Sequence, residues 1–155
     1  LDGAMTLYKE AERICRELGN KDSLQRSLGN QANILADRGD LDDAMTLYKE
    51  GERICRELGN VNDLQISLGG QGLILNARGD LDGAMNLFKE QERICRELGN
   101  VEGLAYSLIN QALALSQKGY ARESLLLAEE AYQVASNHGY AALAQQIEST
   151  LQRLR

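Results

Sequence analysis

Between Leu41 and Leu58 the apolar and small residues fall at Ala44, Leu47, Tyr48, Gly51, Ile54, Cys55 and Leu58. That i, i+3, i+4, i+7 spacing marks one face of a helix, and Lys49, Glu50, Arg53 and Arg56 occupy the other. Gly59 follows as a C′ glycine able to take positive φ, and Asn60 is placed to cap the next helix. Leu64, Leu68, Gln71 and Leu75 then line a second helix, which ends at Gly79 with Asp80 as the next N-cap. Arg38, Arg78 and Lys118 fall in the last turns of such helices, where a positive charge suits the dipole. Read along the whole chain, the pattern predicts helices near residues 2–18, 22–38, 41–58, 62–78, 81–98, 102–118, 121–138 and 140–155. The last carries Leu143, Ile147, Leu151 and Leu154 on one stripe, with Gln145, Gln146, Glu148 and Arg153 elsewhere. A polar outer face is what a stacked array needs at its end.

The pattern repeats in wording as well as in period. LDGAMTLYKEAERICRELGN, LDDAMTLYKEGERICRELGN and LDGAMNLFKEQERICRELGN begin at Leu1, Leu41 and Leu81. Residues 1–40 and 41–80 agree at about 29 of 40 positions, and 41–80 and 81–120 at about 24. The fourth unit, from Ala121, keeps the pattern and little of the wording. The expected organisation is a single repeat domain over 1–155 that opens on a second-type helix. Its units are 1–20 (a half repeat), 21–60, 61–100 and 101–139, and residues 140–155 form a capping helix.

These residues resemble the tetratricopeptide (TPR) family. GDLDDAMTLYKEGERI resembles the family's turn and second helix, with small Ala44, aromatic Tyr48 and a small residue at position 51. Leu28, Ala32 and Leu35 match the first helix, although Gln31 stands where the family usually carries a large residue. The 40-residue period is longer than the family's common one and similar to that of kinesin light chains, and Leu-Gly-Asn replaces the closing proline. The resemblance implies an all-α, right-handed α-solenoid of antiparallel helix pairs. It also implies a non-catalytic scaffold that binds a peptide or partner protein in a concave groove lined by first helices.

Composition agrees with an all-α chain. There is no proline, and the abundant Leu, Ala, Glu, Arg and Gln lose little rotamer freedom in a helix. A net charge of −6 with no basic cluster argues against nucleic-acid binding. No apolar stretch approaches the ~20 residues that span a bilayer, and no signal peptide opens the chain. The absence of an initial methionine suggests a fragment or processed product, and the expected setting is cytoplasmic.

Candidate chemistry is sparse. Cys15, Cys55 and Cys95 are equivalent positions in successive repeats. Packed helices stand ~10 Å apart, too far for a disulfide between neighbours, so these read as buried thiols in a reducing compartment. No second ligand type accompanies them, so neither a metal site nor a cofactor is expected. His138 occupies the slot of Leu18, Leu58 and Leu98 and reads as a half-buried last-turn residue. Glu-Arg-Ile-Cys-Arg-Glu reads as an exposed ion-pair ladder. No catalytic constellation emerges.

The differences between repeats are more informative. On first-type helices Leu24, Leu28, Gln31 and Leu35 recur, whereas Arg26, Asn33 and Asp37 become Ile66, Leu73 and Ala77, then Tyr106, Leu113 and Gln117. Positions 26, 30, 33 and 37 project almost opposite the matched stripe. Drift of exposed positions explains variation but predicts polar replacements, and Ile66, Leu73, Tyr106, Ile109 and Leu113 are apolar. The candidate peptide-binding face is therefore Arg26, Asn30, Asn33 and Asp37, then Ile66, Leu73 and Asn76, then Tyr106, Asn110, Leu113 and Gln117. Some of its apolar members can instead pack between repeats. Second-type helices repeat even Lys9, Glu12, Arg13 and Arg16, which packing does not require; recent duplication or a designed consensus explains it, and the retained cysteines and divergent last unit favour a natural origin. The alternative to a peptide scaffold is a structural spacer or self-associating array, joined end to end or through the N-terminal helix.

Overall fold

The computed structural model describes residues 2–155. Among them the chain forms eight α-helices and no strand. They are α1 (Asp2–Leu18), α2 (Lys21–Asp37), α3 (Leu41–Leu58), α4 (Val61–Ala77), α5 (Leu81–Leu98), α6 (Val101–Gln117), α7 (Ala121–Asn137) and α8 (Ala141–Leu154). Each expected helix is present, with ends displaced by at most one residue. Arg38 and Lys118 lie one step past the ends of α2 and α6, as C-caps.

The turns show why the chain breaks where it does. Gly59 takes φ +68°, and the Asn60 N–H closes back onto the Cys55 carbonyl at 2.9 Å. Asn60 Oδ1 then accepts the Asp63 N–H at 3.1 Å. A Gly-Asn pair thus ends one helix and starts the next. Asn20 and Asn100 cap Ser23 and Gly103 in the same way. Asp80 caps Gly83 as expected, while Asp40 makes no side-chain cap bond.

Two compact units are present, one ending at Ile74 and the other running Leu75–Arg155. In the first, α2 packs on α1 and α3, and Leu24, Leu28 and Ile54 form an apolar cluster with Cys15. In the second, α5 to α8 pack in sequence. Ala105, Leu108 and Ala112 of α6 share one core with Ala128, Ala131 and Ala135 of α7 and Leu143, Ile147 and Leu151 of α8. Burying each leucine or isoleucine there contributes about 1.5–3 kcal/mol.

A polar bond recurs inside these apolar contacts. Buried Gln31, Gln71 and Gln111 each donate Nε2 to a glutamate of the preceding helix: Glu12 at 2.7 Å, Glu52 at 2.8 Å and Glu92 at 2.8 Å. The arginine one turn on, Arg16, Arg56 or Arg96, pairs with the same glutamate. Arg16 and Arg96 also reach Glu50 and Glu130, two helices further along, at 2.9 and 2.7 Å. Burial opposes ionisation of Glu52, but the bonds from Gln71 and Arg56 outweigh it and hold the carboxyl below its usual range. The expectation that packing gives Glu12 and Arg16 no reason to recur is thereby corrected. Glu12 satisfies a buried amide of α2, and Arg16 ties α1 to α3. Arg13, by contrast, bridges only Glu10 and Glu17 of its own helix.

The ends differ from one another. On α1, Met5 and Cys15 are buried, but Leu7 (71 % exposed), Ile14 and Leu18 (76 %) face solvent. On α8, Leu143, Ile147 and Leu151 are buried, while Gln145, Gln146 and Arg153 are exposed and Glu148 is half-buried.

Candidate functional site

In the first unit the candidate face runs along α2 and α4. Arg26 is exposed and bound at both sides, to Asp22 at 2.9 Å and to Asp63 at 3.7 Å. Asp63 also accepts from Gln25 and Asn60, so this end is a network of internal bonds. Asn30 is half-buried, and Asn33 and Asp37 are exposed. The Tyr48 hydroxyl of α3 donates to Asn33 Oδ1. Burial and the nearby Asp37 charge push the phenol up to about 12. The Tyr48 ring lies against Gly70, where a Cβ would stand 2.5 Å from Cζ. Position 70 carries glycine where Asn30 and Asn110 stand in the neighbouring repeats, and the Tyr48 ring fills the space beside it. Asn33 therefore already has a structural partner.

Two of the large apolar residues of α4 are open. Ile66 is 49 % exposed and Leu73 50 %. They are seven residues apart, on one face and ~10 Å apart along the axis.

In the second unit, Tyr106 of α6 is 42 % exposed, Gln117 is exposed, and Asn76, Asn110 and Leu113 are half-buried. Ile109 is different. It is buried with Leu108 and Ala112 in the α6–α8 core, so it is a packing residue and not part of an open face. Tyr106 shares a hollow of about 420 Å³ with Glu102, Tyr140, Leu143 and Gln146. Tyr140 and Glu102 were not legible as surface candidates, because Tyr140 sits at a turn and Glu102 in a first turn where an acidic residue merely suits the dipole.

The remaining chemistry is inert. Cys15, Cys55 and Cys95 are free, buried thiols. Burial pushes Cys55 and Cys95 up to about 11, with Asp63 and Asp22 adding to the effect at Cys55. The Cys55 thiol donates to Gln25 Oε1 at 3.5 Å. His138 is exposed and not half-buried. It caps α7, with Nδ1 2.8 Å from the Val134 carbonyl. Leu58, expected on the inner face, is likewise exposed, because its helix ends there and the chain turns away at Gly59. The ion-pair ladder is present as expected, in Arg53–Glu57, Arg93–Glu97 and their equivalents. Among the described residues no group of three His, Cys, Asp or Glu is placed to hold a metal ion, and no helix is long and apolar enough to cross a membrane.

No family model matches the sequence, and no curated protein matches it. Solved structures do match. A putative kinesin light chain from Podospora anserina with nearly identical TPR-like repeats superposes with TM-score 0.61 at 13% identity, covering 99% of this chain and 94% of that one. BtubC (BKLC) from P. vanneervenii gives TM-score 0.61 at 18% identity, covering 99% and 73%. A de novo designed helical repeat protein, DHR81, gives 0.57 at 18%, covering 99% and 88%. At such identities these likenesses establish the fold. The chain is an all-α protein of TPR-like helix-pair repeats.

Proposed function

We propose that this protein is a non-catalytic interaction scaffold whose first-type helices present a peptide-binding face. The helical-repeat fold supports a protein-interaction role in general. The observation that carries the finer reading is the open apolar pair Ile66 and Leu73 on α4. Leaving two large side chains in water forgoes about 1.5–3 kcal/mol for each that would be fully buried. A partner that covers them recovers it. Tyr106 on α6 adds an amphipathic aromatic of the kind that anchors interfaces. The test is selection from a displayed peptide library against the whole chain, followed by Ile66→Ala, Leu73→Ala and Tyr106→Ala. Loss of affinity of at least tenfold with thermal stability nearly unchanged is the expected result. Binding unaffected by all three substitutions overturns the reading, and a large loss of stability at Tyr106 would make it a core residue.

A second reading, self-association, is favoured by the exposed Leu7, Ile14 and Leu18 of α1. A contact between two α1 helices related by a two-fold axis would cover them.

A further inference from the structure

We infer that the hollow between the start of α6 and the start of α8 is a subsite for a cationic side chain, an arginine of a bound peptide. The inference rests on the peptide-binding reading and specifies one anchor within it. Glu102 and Tyr106 lie four residues apart, on one face of α6, and Tyr140 stands across the hollow at the N-cap of α8. Leu143 and Gln146 complete the wall. The volume of about 420 Å³ sits at the small end of the ~300–1,000 Å³ typical of ligand pockets.

Charge and unspent bonding capacity decide the chemistry. The glutamates of α1 and α3 each hold an arginine, a lysine or a glutamine: Glu10 and Glu17 on Arg13, Glu12 on Gln31 and Arg16, Glu50 on Arg16, Glu52 on Gln71, and Glu57 on Lys21 and Arg53. Glu102 has no such partner among the described residues, and neither phenol hydroxyl of the hollow has a hydrogen bond. Glu102 is the only charged residue of α6. α8 carries Glu148 and, in its last turn, Arg153, which is eleven residues beyond Ala142 and so ~16 Å away along the axis. The N-termini of α6 and α8 contribute the opposite sign, roughly half a charge each, so at a distance they offset the charge of Glu102 and the selection rests on direct contact with its carboxylate. A cation that reaches the carboxylate directly is favoured, because the Glu102 oxygens have no other partner among the described residues. Two tyrosines lining the hollow beside a carboxylate suit a guanidinium in particular, which stacks on aromatic rings and forks onto carboxylate oxygens.

The probe is acetyl-arginine amide, titrated into the whole chain while backbone amide chemical shifts are followed by NMR. Acetyl-citrulline amide, the neutral near-isostere, and acetyl-glutamate amide serve as parallel arms. Arginine amide is expected to give saturable shifts at Glu102, Tyr106 and residues 140–143. Glu102→Gln and Tyr140→Ala should each weaken it at least tenfold while leaving the rest of the spectrum in place. Tyr140 makes no side-chain cap bond, so its loss leaves the helix start intact. Equal binding of citrulline amide, preference for glutamate amide, or no saturable shift with arginine overturns the subsite. If a library-selected peptide moves α4 and α6 amides without any preference for arginine, the subsite is wrong and the peptide-binding face stands. If no peptide of either charge moves them, both fall.

Discussion

Gly70 and Gly29 occupy helix interiors 41 residues apart, and the same substitution should act on them in opposite directions. A Cβ at Gly29 meets nothing within 4 Å, so Gly29→Ala removes only unfolded-state freedom and should stabilise by about 0.4–1 kcal/mol. A Cβ at Gly70 meets the Tyr48 ring at 2.5 Å, so Gly70→Ala forces a buried aromatic to shift and should destabilise by about 1–3 kcal/mol. Urea unfolding of the two variants checks both signs. The thiols give a second residue-scale prediction. Cys55 and Cys95 keep their protons to about pH 11, whereas an unfolded thiol loses its proton near 8.5. Between those values the unfolded chain binds fewer protons than the folded one, so stability is full below about pH 8.5 and falls as pH rises through 11. Thermal melts at pH 8 and pH 10.5 should therefore diverge less in a Cys55→Ala, Cys95→Ala variant than in the wild type. Native-state thiol labelling at pH 8 should be slow, and complete on unfolding. Burial of the cysteines was legible in the repeat, but the position of Gly70 was not. A glycine in a helical pattern says nothing of the ring beside it, and Tyr48 lies 22 residues away in sequence.

For whole helices, periodicity and punctuation carried nearly everything: eight elements, their boundaries to within a residue, and the Gly-Asn turns. The pattern could not show which polar residues are structural, because an exposed glutamate and one beneath a buried amide look alike in sequence. Glu52 and Lys49 recur equally across the repeats, yet the consequences of removing them should differ. Glu52→Ala leaves the buried Gln71 amide without its acceptor and should cost about 1–3 kcal/mol. Lys49→Ala, at an exposed position, should stay within about 0.5 kcal/mol. Equal effects in denaturant titrations would show that the recurring bond contributes nothing. The Arg–Glu pairs along the same helices are exposed, and each should contribute only about 0–1 kcal/mol, less at high salt.

At the scale of the whole molecule, α1 exposes Leu7, Ile14 and Leu18, while the equivalent of Ile14 in α3, Ile54, is almost fully buried. Sedimentation across a concentration series should show reversible association that Leu7→Gln with Ile14→Gln abolishes. A monomer at every concentration would remove self-association from consideration. Differences between repeats pointed to Ile66, Leu73 and Tyr106, which are exposed, and equally to Ile109, which is buried in the α6–α8 core, because sequence drift looks the same in both cases. The Gln–Glu bond has a consequence for ancestry. Because the contact is the same at α1–α2, α3–α4 and α5–α6, a unit copied, deleted or exchanged by recombination would meet a neighbour already fitted to it. At α7 and α8 both partners have changed together, to Tyr132 and Leu151, which share one apolar cluster. The last helix would leave an acceptor unanswered beside any of the earlier ones. The units that carry the Gln–Glu bond are thus interchangeable with one another, while the α7–α8 pair fits only itself.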